Sequence, residues 1–233
     1  MLTDSFKGDL NYIKKLLSEK TPFSISRFGD GEMMILNNKK IDLLWKGEFN
    51  FDGQDHLRRD LLDSFTHNQE NYFIGVACPC CVGKDKSDSM KKQTGLEDSK
   101  LTWANIFVNS NYQAFRNEIT PLFDNYNVTI VAKGNTDKLP FKIDHSYSVG
   151  ANAWINNADV YDKLDKQLST STEHELVLIC AGPFANILCK KLFEKYPHHT
   201  IIDLGSVFNV ELGIGADRGY LRGASTLSKT CIW

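Results

Sequence analysis

Short apolar, β-branched runs alternate along the chain with amphipathic stretches. Five runs have the length and composition of strands: Phe23 to Arg27, Tyr72 to Ala77, Val128 to Ala132, Leu176 to Ala181 and Thr200 to Leu204. Between them, apolar residues recur at three- and four-residue spacing. Leu10, Ile13, Leu16 and Leu17 form one such stripe and Phe184, Ile187, Leu188 and Leu192 another, each predicting a helix with one apolar face. The aromatic-rich stretch Leu101 to Phe123 predicts a further helix. Parallel strands need crossovers of a dozen residues or more, and the intervals here supply them. The expected fold is therefore α/β, a mostly parallel, Rossmann-like sheet with helices on both faces, in one domain spanning 1–233. Lys84 to Lys100 interrupts the pattern with charge and with Gly83, Ser87, Asp88, Ser89 and Gly95. It is expected to be a mobile surface loop, either a solvated linker or a lid over a ligand.

Composition narrows the function. With 233 residues and 42% hydrophobic side chains the chain can bury a substantial core. Its formal net charge of -2, with lysines interleaved among acids, offers no basic field for a phosphodiester backbone, so no nucleic-acid partner is expected. The first residues show neither a signal-peptide pattern nor a run long enough for a membrane span, and a cytoplasmic location is expected. Six cysteines are too sparse for a disulfide scaffold, and Cys180 and Cys189 fall in apolar periodic segments, which fits a reducing compartment. Cys78-Pro79-Cys80-Cys81 follows a strand, the setting of thioredoxin-like redox chemistry, but zinc would need a second ligand pair and none is near in sequence. Structural thiols are the expectation. The histidines have no ligand spacing, and no nucleophile elbow, Walker loop or dinucleotide fingerprint occurs.

The most informative segment is Ser26-Arg27-Phe28-Gly29-Asp30-Gly31-Glu32, at the end of the first strand. In extended chain, residues two apart point to one side, so Asp30 and Glu32 would present both carboxylates to one point. Two hard oxygen ligands suit manganese or magnesium (Mn2+ or Mg2+), whose remaining positions are filled by water and substrate phosphate. The alternative is a turn in which Asp30 caps the helix that follows. Arg27 would neutralise the pair or reach a phosphate. Gly182-Pro183 places a proline where a first helical residue belongs, at the carboxyl end of a strand. Backbone N–H groups there would attract a diphosphate, unless this is a plain strand-to-helix connection. Lys133-Gly134-Asn135 also follows a strand end, as ligand contact or surface turn. Asp203, before Gly205 and Ser206, would bind a ligand hydroxyl or serve as general base.

The stretch from Phe23 to Glu32 resembles the start of the bacterial glycosyltransferases with the GT-D fold, whose Asp-x-Glu pair binds the metal of a nucleotide-sugar complex. Leu101 to Asn109, Cys180 to Ala185 and Asp203 to Ser206 are similar to later segments of that family, in the same order. The resemblance implies a metal-dependent transfer from a nucleotide sugar, a UDP-sugar foremost, to a glycan or glycoconjugate acceptor. It implies Asp30 and Glu32 on the metal, and Arg27, Gly29, Lys133, Gly134, Asn135, Gly182, Pro183, Gly205 and Ser206 on the donor. The family follows its late Asp-x-Gly with an acidic residue and an aromatic. Here Asn209, Glu211 and Leu212 occupy that stretch, and Glu211 joins Asp203 as a catalytic candidate. The tail through Arg218, Tyr220, Arg222, Lys229 and Trp233 departs from the family pattern.

Two other functions fit parts of the pattern, a glycoside hydrolase using the two carboxylates as an acid–base pair, and a non-catalytic nucleotide-binding α/β protein. Carboxyls two residues apart on one strand can hardly straddle a glycosidic bond at the ~5 to 9.5 Å that hydrolases use. A homodimer is allowed. The Asn- and Lys-rich composition suits an AT-rich source, a bacterium or a virus in its host cell.

Overall fold

In the computed structural model, which describes residues 1–3, 5–38 and 53–222, the apolar runs line up side by side in one sheet. Seven strands take the order β3-β2-β1-β7-β6-β4-β5, and every pairing is parallel. They are β1 Ser24–Arg27, β2 Tyr72–Val76, β3 Leu101–Trp103, β4 Asn127–Ala132, β5 His145–Ser148, β6 Glu175–Cys180 and β7 Thr200–Asp203. All of β2 and β7 is buried, as is nearly all of β4 and β6, so both faces of the sheet are covered and the strands read as continuous apolar runs.

The helices are α1 Phe6–Ser18, α2 Asp30–Leu36, α3 Asp55–Phe65, α4 Pro79–Val82, α5 Lys84–Thr94, α6 Tyr112–Ala114, α7 Ala153–Asn156, α8 Asp159–Thr170 and α9 Pro183–Lys195. Helix α1 begins at Ser5, whose hydroxyl accepts from Gly8 N, and buries the predicted stripe of Leu10, Ile13, Leu16 and Leu17. Asp9 is buried in the same helix. Its carboxylate accepts from Thr3 N and Oγ1 on one oxygen and from Thr102 Oγ1 on the other, which ties α1 to β3. Helix α9 packs on β1 and β7, and α3 packs on α9.

Three expectations are corrected. The five predicted strands are present, but β3 and β5 were not among them. The first is three residues at one edge; the second is the polar, mostly exposed His-Ser-Tyr-Ser at the other edge, with no apolar run to betray it. The Leu101 to Phe123 helix does not form as one element. After β3 come a 3-10 turn at Asn109–Asn111, α6, a π turn at Phe115–Ile119 and a 3-10 stretch at Thr120–Asn125 that contains Pro121. Lys84 to Lys100 is mostly helix. Ser87, Met90 and Thr94 give α5 a narrow buried stripe, while Gly83 and Gly95, both at positive φ, stand at its two ends. Polar composition hid a helix whose glycines are caps.

Candidate functional site

The strand order has a reversal at β1. From β1 the chain runs outward through β2 and β3, then returns on the opposite side and finishes with β7 next to β1. Open parallel sheets bind ligands in the crevice at the carboxyl ends of the strands beside such a reversal. A cavity of about 350 Å³ lies there. Its wall takes Arg27 from the end of β1, Asp30 and Glu32 from α2, Lys133 after β4, Val149 to Ala151 after β5, Gly182 and Pro183 after β6, and Gly205 and Ser206 after β7.

Asp30 and Glu32 reach this cavity by a route other than the one expected. The chain leaves β1 and enters α2 at once, with Gly29 as N-cap and the two acids in the first turn. Residues two apart on a helix are about 200° apart around its axis, so strand alternation does not align them. Glu32 instead folds back and accepts from Gly29 N at 2.9 Å, the reciprocal half of a capping box, while Asp30 stays exposed. Both nevertheless line the cavity, and among the described residues neither is in an ion pair. Burial pushes the Glu32 carboxyl up to about 7, and the charges of Asp203 and Asp30 add to the rise.

Arg27 is turned toward a different acid. Its Nη2 lies 3.7 Å from Asp203 Oδ1, its Nη1 donates to Ala104 O at 3.0 Å, and the guanidinium stands over the Phe107 ring. Asp203 accepts Arg27 N on one oxygen and Gly205 N on the other. Burial raises the Asp203 carboxyl, and Arg27 partly offsets this. Gly205 has φ +54, and a Cβ built there would collide with Arg27 Nη2, so a side chain at this position requires the guanidinium to shift. Ser206 Oγ is 2.7 Å from the hydroxyl of buried Tyr220.

Helix α9 opens as the sequence suggests. Gly182, at φ 56, precedes Pro183 at the first helical position, and the N-terminus of this 13-residue helix faces the cavity. Lys133 is exposed on the rim and, among the described residues, has no ion partner.

Five of the candidate residues do not line the cavity. Gly29 caps α2. Gly134, at φ +98, leaves no room for a side chain against Leu212 O, and Asn135 N donates to that same carbonyl at 3.1 Å. Both therefore hold the segment after β7 against the end of β4. Glu211 pairs with Arg116 at 2.6 Å, and Arg116 also covers the Phe208 ring. Asp203 stands behind Arg27 and is likewise not part of the lining. Sequence reading missed Val149 to Ala151, Ala153, Ile214 and Asp217, which line the wall together with Arg218. The signal for the later ones was a glycine-punctuated run, Gly213 to Gly215, just after the last strand. Lys229 and Trp233 lie outside the described residues.

Among the cysteines, Cys78 is buried with Asn105 Nδ2 at 3.3 Å from its sulfur, and Cys189 is buried against Ile25 O. Cys180 borders the cavity with its thiol pushed up to about 12 by burial, which keeps it protonated and unreactive at neutral pH. Among the described residues no group of three or more His, Cys, Asp or Glu side chains could by itself hold a metal ion. No described helix is long and apolar enough to cross a membrane.

Comparison with solved structures bears on the fold. A domain of unknown function 1792 described as having a distinct glycosyltransferase fold gives a TM-score of 0.58 at 16% identity, covering 90% of this chain and 81% of its own. A glycosyltransferase with this domain from Streptococcus sanguinis gives 0.60 at 15% identity, over 87% of this chain and 80% of that one. At such identities the shared property is the glycosyltransferase fold. None of the curated proteins compared matches the chain. The family model described as a GT-D fold-like domain matches residues 9–210, the span that carries all seven strands and most of the cavity wall, and the chain belongs to that family.

Proposed function

We propose that the protein is a metal-dependent glycosyltransferase that moves a sugar from a nucleoside-diphosphate sugar, a UDP-sugar foremost, to a glycan or glycoconjugate acceptor. The observation that carries this reading is the convergence of two acids, a lysine and a helix N-terminus on one cavity at the strand carboxyl ends. The acids fit a hard divalent cation. Neither has a cationic partner among the described residues, and Glu32 sits where its negative charge is disfavoured, so a bound cation would relieve the strain. Two carboxylates without a third ligand match manganese or magnesium, which take the rest of their shell from water and substrate phosphates. When bound, such an ion supplies electrostatic stabilisation of the charge that builds on the departing diphosphate.

The chain's own groups would act around it. Lys133, Arg218 and the N–H groups of α9 face the donor phosphates. In the transfer, the acceptor oxygen bonds to the anomeric carbon as that carbon's bond to the diphosphate oxygen breaks and the electron pair leaves with the diphosphate. The acceptor's proton passes to a carboxylate. Asp203 is buried, does not line the cavity and accepts from Arg27 N and Gly205 N, so we assign it to positioning. Asp217, exposed on the cavity wall with Oδ1 accepting from Asn209 Nδ2 and Oδ2 3.7 Å from Arg218 Nε, is the remaining acid there and is assigned as proton acceptor. Asp217→Asn is expected to lower turnover by roughly a hundredfold with donor binding kept, the usual scale for loss of one acid–base group. Unchanged turnover would remove Asp217 from this role.

The reading as a whole is tested by thermal shift with a panel of nucleotide sugars, with and without Mn2+. A donor that binds only the folded state raises the midpoint by linkage. A metal-dependent rise for one nucleotide family is expected. A flat panel in both conditions would overturn the proposal.

A further inference from the structure

A second cavity, of about 320 Å³, opens on the other side of α2 and shares a single wall residue with the first, Asp30. It is built from two helix faces. From α2 come Asp30, Met33, Met34 and Asn37, and from α5 come Lys86, Ser89, Met90 and Gln93. Each set has the spacing i, i+3, i+4, i+7, so each is one continuous helix face, and the two are turned toward each other. Ala77, just beyond the carboxyl end of β2, and Val82 complete the wall. Ser87 Oγ donates to Ala77 O at 2.8 Å and fixes α5 to that strand end.

The lining is unusual for this chain. Three of its four methionines, Met33, Met34 and Met90, face the cleft. Thioether side chains are flexible and polarizable, and they suit a surface that adapts to an apolar ligand. The polar groups, Asn37, Lys86, Ser89 and Gln93, are all exposed and stand at the rim. An apolar body with a polar edge is the chemistry such a cleft recognises.

We propose that this cleft is the acceptor subsite, and that it holds the apolar aglycone of a glycoside, alkyl or aryl, whose sugar reaches over Asp30 toward the first cavity. The assignment rests on the donor reading above for the word acceptor. The occupant follows from the apolar lining and from Asp30, which borders both cavities. A group in the methionine-lined space lies on the other side of α2 from whatever the acids hold, with exposed Asp30 reaching both spaces.

The test labels the methionine methyl groups with carbon-13 and follows them by NMR while phenyl β-glucoside, hexyl β-glucoside or glucose is added. The signals of Met33, Met34 and Met90 are expected to move with either glycoside, with that of Met1 as the internal reference that stays still. Glucose is expected to move none of them. A stronger response to the phenyl compound identifies an aryl aglycone, and a stronger response to the hexyl compound an alkyl one. Ser89→Trp adds bulk from an exposed position on α5 and is expected to weaken glycoside binding at least tenfold; Met34→Gln makes the wall polar and acts in the same direction. Still methionine signals, equal movement by glucose, or full glycoside binding by both variants would overturn the proposal. Calorimetry with UDP and Mg2+ on the same samples separates the two readings. Donor binding with still methionines sinks the acceptor cleft alone, whereas moving methionines without donor binding sinks the donor reading and with it the acceptor role.

Discussion

The two cavities that meet at Asp30 are made in opposite ways. The first is assembled from the loops that follow five parallel strands, and its chemistry is charge: three acids, a lysine, two arginines and backbone N–H groups. The second is assembled mainly from the sides of two helices, and its chemistry is three thioethers. The contrast teaches where each kind of site has its cost. At strand ends, glycines at positive φ and an acid held near pH 7 are tolerated for the sake of the charges. On helix faces, regular backbone carries the site with no comparable strain.

The largest effect expected from breaking this contrast is on the charged side. Asp30→Asn combined with Glu32→Gln should reduce transfer by about a thousandfold or more, the scale of losing a charge-stabilising group at the leaving oxygen, with the circular dichroism spectrum kept. Wild-type turnover by that protein, or by the native one in excess chelator, would refute the metal assignment.

The next effect is on stability against pH. A carboxyl raised from 4.5 to about 7 binds its proton more tightly in the folded state, so metal-free protein should lose stability as pH rises from about 4.5 through 7. The full penalty is present above 7, and a rise from 4.5 to about 7 corresponds to roughly 3 kcal/mol. Glu32→Gln keeps an oxygen for the capping bond to Gly29 N and removes the titration. Its melting temperature in chelator should therefore exceed that of the wild type at pH 8 and match it more closely at pH 5. Identical pH profiles would show that Glu32 does not titrate in this window.

A smaller effect separates backbone strain from crowding. Gly182 and Gly205 share a positive φ near 55°, but only Gly205 would drive a Cβ into Arg27. Gly182→Ala is expected to cost about 1 kcal/mol from its backbone alone and Gly205→Ala about 2 to 3 kcal/mol. Urea midpoints measure the difference, and equal costs would mean that Arg27 yields freely. The smallest effect falls on the methionine side. Ser87→Ala removes a buried hydroxyl bond worth about 1 kcal/mol and should loosen α5. The donor-induced thermal shift at the first cavity should remain, and its loss would show that the two cavities are coupled.

Much of this was legible before any fold was seen. The apolar runs and helical stripes identified the central strands, α1 and α9, because a strand buried on both faces must be apolar throughout and a helix on one face must repeat every three to four residues. The edges escaped. A strand covered on fewer sides needs fewer apolar residues, and β5 has almost none. Helix α5 escaped for the same reason, since a stripe of Ser87, Met90 and Thr94 scarcely registers as hydrophobic.

The candidate site divides in the same way. Sequence alone determined that Asp30, Glu32, Lys133, Gly182, Pro183, Gly205 and Ser206 all follow strand ends, because each stands just after an apolar run in the chain. In a parallel sheet those ends share one rim. Only the tertiary structure decided the rest. It turned Arg27 to Asp203 and not to the acids beside it, placed Asp30 and Glu32 on a helix and not a strand, and set Glu211 on Arg116. It also brought α2 and α5 face to face around the methionines. Which charges meet, and which helix faces close on one another, depends on contacts between residues far apart in the chain, and no local pattern encodes a distance in space.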